Sequence, residues 1–209
     1  MNRDLLIVFC KNPVLGKVKS RLADTVGEKK ALEVYIWLLK RTHSLVSTLP
    51  YKTLIAYSDF INNQDLWENE RFMKSRQKGE DLGERMYNAI QQGFFDGYEK
   101  VCLIGVDIPD LNTEIINEAF SALDKKDAVI GPAKDGGYYL IGFSKSAPDI
   151  ESVFRQKEWG TSSVYKDTLR SLSNEGLSQA SLPTLSDVDT EEDLTGIQSL
   201  SYFNRFVSS

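Results

Sequence analysis

Leu5-Leu6-Ile7-Val8-Phe9-Cys10-Lys11-Asn12-Pro13-Val14-Leu15-Gly16-Lys17-Val18-Lys19-Ser20-Arg21 passes from an unbroken apolar run straight into a cationic loop. The run reads as a strand buried on both faces. Pro13 and Gly16 end it and force a turn. Lys11, Lys17, Lys19 and Arg21 then crowd a short stretch of a chain whose formal net charge is -5. Local positive charge on an acidic protein points to a small anionic ligand. In an α/β protein the loop leaving the carboxyl end of the first strand is where phosphates sit, because backbone N–H groups and a helix N-terminus converge there. The competing reading is a solvated lysine-rich turn.

Outward from this segment, strand and helix periods alternate, the pattern of an α/β fold. Residues 28–49 carry a helical apolar stripe (Ala31, Leu32, Tyr35, Leu38, Leu39, Val46) stopped by Pro50. Residues 53–57 read as a second strand. Between Phe60 and Arg76 the pattern weakens, with a short helix expected around Leu66 and Trp67 and a strand at 72–74. Residues 82–94 form an amphipathic helix with Asp81 as its N-cap. Residues 101–105 give the next buried strand, followed by a helix over 113–123. Two further strands, 128–131 and 138–142, are joined through Asp135-Gly136-Gly137, so the mainly parallel sheet contains an antiparallel strand. A helix over 162–173, a strand over 177–182 and a short helix after Thr190 complete the pattern, and the 201–209 tail packs as a helix or frays.

With 209 residues and 41 % hydrophobic content, one domain spanning 1–209 is expected. No apolar run approaches the roughly 20 residues of a bilayer span, and the first one is too short for a signal-peptide core. The expectation is a cytoplasmic protein. Cys10 and Cys102 lie in strand-like runs and read as buried hydrophobes rather than a disulfide or metal pair. The acidic balance and lack of a basic face argue against nucleic acid as a partner. The one histidine, His43, reads as a solvated helix residue, which disfavours a histidine triad or zinc site.

Two acidic segments remain. Gly105-Val106-Asp107-Ile108-Pro109-Asp110 places an acid at the carboxyl end of a buried strand, where ligand chemistry collects in open α/β sheets. Asp107 is therefore the leading ligand for Mg²⁺ or Mn²⁺, hard ions that bridge carboxylates to phosphates. As a helix cap it would be redundant, since Asn112 and Thr113 are better placed. In Ser186-Asp187-Val188-Asp189-Thr190-Glu191-Glu192-Asp193, Thr190 and Asp193 make a capping box and the glutamates suit a helix start. Asp187 and Asp189 are not explained by capping, and Asp189 is the candidate second metal ligand. Asp135 and the two tyrosines after it suit either a plain hairpin turn or an acceptor pocket. Read from the residues themselves, Asp81 is an N-cap at a glycine-rich helix start open to a base or sugar, and Arg85, one turn along, reaches a phosphate. Trp159 suits a lid or a core anchor.

Five segments in register, 9–22, 79–86, 105–111, 131–140 and 187–194, together resemble the DUF2064 proteins, GT-A-like nucleotide-diphospho-sugar transferases, over about residues 5–194. The pattern is also similar to the MobA-like and CofC-like nucleotidyltransferases. The resemblance implies a GT-A-like, Rossmann-like sheet flanked by helices. It implies that Lys11, Gly16, Lys17, Lys19 and Arg21 line the pyrophosphate site, and that Asp107 is the metal-binding acid with Asp189 as a second ligand. It further implies a nucleotide sugar or nucleotide as one substrate and a small-molecule acceptor as the other. Departures are mild: Asn12 stands where the family often has Ala, Ser20 where it has Thr, and Gly160 where it commonly has Ser.

The expected chemistry is neutralisation of a diphosphate by the divalent ion and the loop cations, Lys17 among them, with Asp135 as base for an acceptor hydroxyl. Glycosyl transfer is favoured over nucleotidyl transfer. A catalytically idle nucleotide-sensing domain is the reading from another class.

Overall fold

The computed structural model describes residues 3–198 apart from Pro148 and Gln156, with side chains as far as Leu194. The 201–209 tail, expected to be helical or frayed, lies outside the described residues.

The elements run β1 (Asp4–Cys10), α1 (Ser20–Val26), α2 (Glu28–Val46), β2 (Lys52–Tyr57), β3 (Met73–Arg76), α3 (Leu82–Phe95), β4 (Lys100–Ile104), α4 (Thr113–Ala122), β5 (Ala128–Pro132), β6 (Tyr138–Ser144), α5 (Glu151–Phe154), α6 (Val164–Asn174), β7 (Gln179–Ser181) and α7 (Glu191–Gln198). They form a seven-stranded sheet in the order β3-β2-β1-β4-β6-β5-β7. β6 runs antiparallel to β4 and β5, and every other pairing is parallel. The GT-A-like α/β class is thus observed, including the antiparallel strand.

Alternation along β1 explains the two layers. Leu6, Val8 and Cys10 pack with Tyr35, Leu39 and Val46 of α2 and Ile116 and Phe120 of α4. Leu5, Ile7 and Phe9 face the opposite layer, with Met86 and Ile90 of α3 and Leu172 of α6. A third cluster joins Leu22 of α1 and Val34, Trp37 and Leu38 of α2 to Val188 and Leu194. That cluster anchors the chain's last described segment beside the loop after β1.

Several sequence expectations need correction. No helix forms around Leu66 and Trp67. Asp65 Oδ1 instead accepts from the Trp67 N–H at 3.0 Å and Asn62 Oδ1 from the Gln64 N–H at 2.9 Å, local side-chain bonds that compete with helix formation. Trp67 is fully buried as a hub of the α2 layer. His43 is only partly exposed: it lies edge-on to Trp67, tilted against Phe72, and bonded to Glu68 at 3.0 Å. The long helix ends at Val46, and Thr48 and Leu49 close a turn back to Leu45 and Val46. α1 and the short α5 were not anticipated. Gly27, at φ 85, breaks α1 from α2. Of the 177–182 strand only 179–181 takes strand form, on the sheet edge beside β5.

Candidate active site

Tyr35 is where α2 takes hold of the loop after β1. This 3 % exposed tyrosine accepts a hydrogen bond from the Lys11 backbone N–H at 2.7 Å and donates its own hydroxyl proton to the Lys11 carbonyl at 3.0 Å. Burial, then the nearby Cys10 and Asp107, pushes its ionisation well above the ordinary tyrosine range, so the phenol stays neutral. The next residue, Asn12, is also buried. Its Nδ2 donates to the Phe60 carbonyl at 3.0 Å, while Oδ1 accepts from the Phe60 and Asp59 N–H groups at 3.2 and 3.4 Å. An Ala at this position would leave those groups to water. The loop leaving β1 is therefore pinned to both α2 and the exit of β2, and its polar groups are satisfied rather than free.

Further along, Lys19 adopts φ 50 and ψ 51, the left-handed region that costs a non-glycine residue roughly 1–2 kcal/mol. Its ammonium is buried against Asp107 and lies 3.8 Å from Asp189 Oδ1, while Arg21 meets Asp189 Oδ2 at 3.2 Å. The two acids singled out from sequence, far apart in the chain, thus share one place on the carboxyl edge of the sheet. The route there is visible in the backbone. After β7 the chain continues beside β5 through the pairs Leu182 N–H to Ile130 O, Leu185 N–H to Pro132 O and Lys134 N–H to Leu185 O, and then the Val188 N–H donates to the Asp107 carbonyl at 3.1 Å. Asp193 secures the turn, accepting from the Asp189 and Thr190 N–H groups at 2.9 and 2.7 Å and from the Thr190 hydroxyl. Burial alone would raise its pKa, but these bonds outweigh burial and hold it below the ordinary range.

Beside this edge opens a cavity of about 630 Å³, within the usual size of a small-molecule site. Lys11, Lys19, Arg21, Asp107 and Asp189 line its charged part, with Arg85 and Gln77 also in the wall. Arg85 is aimed by its Nε bond to the Gly79 carbonyl at 3.0 Å. Gln77 is held by the Ala56 carbonyl at 2.9 Å. The rest of the cavity is apolar and aromatic, with Leu82, Met86, Tyr138 and Trp159 contributing. The Tyr138 and Trp159 rings meet edge to face with centroids 6.4 Å apart.

The Asp135 turn and the Trp159 loop form one wall. A Cβ on Gly136 would come within 2.2 Å of the Ser162 carbonyl oxygen, and the Tyr165 N–H donates to the Gly136 carbonyl at 2.9 Å. Asp135 is exposed, with Oδ1 accepting from the Gly137 N–H at 2.8 Å, and it lines the cavity. Trp159 packs on Gly83 so closely that a Cβ there would reach its ring at 2.6 Å. The half-buried Asp187 has its pKa raised by burial and then by Asp135.

Of the residues singled out from sequence, the structure brings Lys11, Lys19, Arg21, Arg85, Asp107, Asp135 and Asp189 to this cavity. It does not bring Gly16, Lys17 or Asp81. Gly16, at φ 74, turns beside the Glu28 carboxylate, and Lys17 is exposed. Asp81 caps α3 through the Glu84 N–H at 2.8 Å and lines a smaller groove with Tyr87 and Arg155. Tyr35, Asn12 and Gln77 escaped sequence reasoning as site residues. A tyrosine on an otherwise apolar helix stripe was a usable signal, since a buried hydroxyl demands a partner.

Among the described residues no cluster of three or more His, Cys, Asp or Glu side chains could hold a metal ion. Asp107 and Asp189 nonetheless fit Mg²⁺ or Mn²⁺, which take one or two carboxylates and complete their shell with phosphate oxygens and water. Among the described residues no helix is long and apolar enough to cross a membrane.

Comparison with known proteins agrees with this architecture. A protein from Desulfovibrio desulfuricans G20, described as a candidate nucleotide-diphospho-sugar transferase, is 38 % identical, covering 98 % of this chain and 91 % of its own with a TM-score of 0.86. The 4-diphosphocytidyl-2C-methyl-D-erythritol synthase of Anaerococcus prevotii shares the fold at 13 % identity, with 97 % and 99 % of the two chains covered and a TM-score of 0.59. So does Rv0371c of Mycobacterium tuberculosis H37Rv, whose structure is a manganese complex, at 10 % identity, 94 % and 98 % coverage and a TM-score of 0.52. No curated protein sequence matches the chain. The profile described as "Uncharacterized protein conserved in bacteria (DUF2064)" matches residues 27–161, and with that match the chain belongs to the DUF2064 family.

Proposed function

We propose that this chain is a transferase that takes a nucleotide-diphospho-sugar with Mg²⁺ or Mn²⁺ and moves the sugar to a small hydroxylated acceptor. The observation that carries the reading is the meeting of Asp107 and Asp189 beside Lys11, Lys19, Arg21 and Arg85 on the carboxyl edge of the sheet, with Asp135 on another wall of the same cavity. The activity named for the 38 % identical relative supports it.

Asp107 and Asp189 would hold the divalent ion, which when bound supplies positive charge to the diphosphate. Lys11, Arg21 and Arg85 bind and orient the same phosphates; an arginine guanidinium presents two parallel donors to them. Charge that develops on the leaving nucleoside diphosphate then meets preset cations, the arrangement that contributes most to such reactions. Asp135, exposed at the turn, takes the proton from the acceptor hydroxyl. The apolar part of the cavity, Leu82, Met86, Tyr138 and Trp159, excludes water from the transferred group.

The test is product analysis by mass spectrometry. With Mn²⁺ and a panel of uridine-, guanosine- and cytidine-diphospho-sugars, the protein releases nucleoside diphosphate from at least one, slowly without acceptor. Asp107→Asn abolishes this release. A parallel reaction with nucleoside triphosphate and sugar phosphate yields no pyrophosphate. Pyrophosphate and a new nucleotide sugar in that second reaction would replace glycosyl transfer with nucleotidyl transfer. No product in either would make the chain a nucleotide-binding domain without turnover.

A further inference from the structure

Lys19 is the only non-glycine residue with a left-handed backbone among the described residues, and its side chain is 5 % exposed. Loop lysines usually keep their strongly hydrated ammonium in water. Strain of this kind persists where the surroundings over-determine it and collects at functional sites. Here the surroundings are two carboxylates. The Lys19 ammonium contacts Asp107 Oδ1 and lies 3.8 Å from Asp189 Oδ1, and Arg21 covers the other oxygen, Asp189 Oδ2, at 3.2 Å. The two carboxylates assigned above to a divalent ion are therefore already served by a cation of this chain. An ammonium and a divalent ion within about 4 Å of each other repel strongly at the low effective dielectric of a partly buried site.

We infer that Lys19 is a resident cation that holds Asp107 and Asp189 together while the site has no ligand, and that the divalent ion enters only together with a diphosphate. The diphosphate supplies the anionic partner that the displaced ammonium needs, on the same charged wall of the cavity. This rests on the proposed function and deepens it. It makes Lys19 a positioning residue and sets an order of binding: metal alone binds weakly, and metal and diphosphate favour each other. Coupling of this kind is reciprocal and commonly amounts to between about 5-fold and 150-fold.

The experiment titrates Mn²⁺ into the full chain and reads free Mn²⁺ by electron paramagnetic resonance, with and without inorganic pyrophosphate. Wild type binds Mn²⁺ alone weakly. Lys19→Met binds Mn²⁺ alone at least about tenfold more tightly, and Asp107→Asn in that background removes the gain. The Mn²⁺–pyrophosphate complex, measured by calorimetry, loses at least about tenfold in affinity for Lys19→Met. Lys19→Gly, which also relieves the backbone, repeats both results should the methionine variant fold poorly. Wild type binding Mn²⁺ as tightly without pyrophosphate as with it overturns the inference whatever the variants do. So does Lys19→Met binding Mn²⁺ no more tightly than wild type, while Asp107-dependent binding leaves the metal assignment standing. Absence of Mn²⁺ binding in every protein, with pyrophosphate present, removes the metal assignment along with the inference.

Discussion

Gly136→Ala tests whether the acid turn and the tryptophan loop really form one wall. Two costs are separable there. Gly136 sits at φ 92, where a side chain is strained by roughly 1–2 kcal/mol. In addition, its new Cβ would lie 2.2 Å from the Ser162 carbonyl oxygen and 2.6 Å from the Ser162 carbonyl carbon and Cα, all backbone that cannot step aside as a flexible side chain would. Overpacking of that kind adds about 1–3 kcal/mol. The expected loss is about 2–5 kcal/mol, or about 4–20 °C in melting temperature at about 2–4 °C per kcal/mol for a chain of this size. Gly97→Ala is the internal control: its φ is 96, nearly the same, but nothing lies within 4 Å of the Cβ position. It should lose only the backbone cost, about 2–8 °C. Differential scanning calorimetry of the two variants decides the matter. If Gly136→Ala melts no lower than Gly97→Ala, the contact with Ser162 carries no weight and the wall is two independent loops. The same variant should raise acrylamide quenching of tryptophan fluorescence through Trp159, because Trp37 and Trp67 stay buried in the layer across the sheet.

Asp65→Ala should lower stability by about 3–5 kcal/mol in urea unfolding, because it strands the 6 % exposed Lys74 ammonium now 2.9 Å away and the Tyr57 hydroxyl at 2.6 Å. Asp127 and Asp187 should give opposite pH responses. The Ser178 hydroxyl and N–H hold Asp127 below the ordinary carboxyl range, so its contribution is present above the unfolded pKa near 3.8 and lost as pH falls through the lower folded value; Asp127→Asn therefore lowers the melting temperature at pH 7 and converges with wild type in acid. Burial and Asp135 raise Asp187, so the protonated form is the favoured one: stability is full below 3.8 and declines as pH rises through the folded value, and Asp187→Asn should raise the melting temperature at pH 7 but not below about pH 4. Burial pushes the Cys10 thiol up to about 12 and Cys102 higher still, so neither should react with Ellman's reagent until the protein unfolds.

Where the chain's own local chemistry decides structure, the sequence was sufficient. Continuous apolar runs of strand length gave β1, β2, β4, β5 and β6. Side-chain oxygens that reach an N–H three residues on gave the caps, Asp81 to Glu84 at 2.8 Å and Asn112 to Ile115 at 3.0 Å. The Asp135-Gly136-Gly137 turn gave the antiparallel strand. The same reasoning failed at Leu66 and Trp67, where asparagine and aspartate side chains bond their own backbone and win over a weak helical pattern. The acids Asp107 and Asp189 were legible as candidates because one ends a strand and the other is superfluous as a cap.

That they could share one ion was an expectation; the path that brings them together was not legible, nor was the ammonium between them. Sheet order decides that: β5 carries β7 at its side, and the strand-like backbone after β7 leads Asp189 back to Asp107, a path with no trace in local propensity. Cations in the loop looked equivalent in sequence, yet Lys17 faces solvent and Lys19 is buried, because the left-handed turn at Lys19 and the packing of Val188 and Leu194 on α1 and α2 fix which one faces the acids. Periodicity and capping act over a few residues, and so are written in the sequence. An ion pair between distant segments exists only once packing has chosen their neighbours, so the charge balance of this site belongs to the tertiary structure.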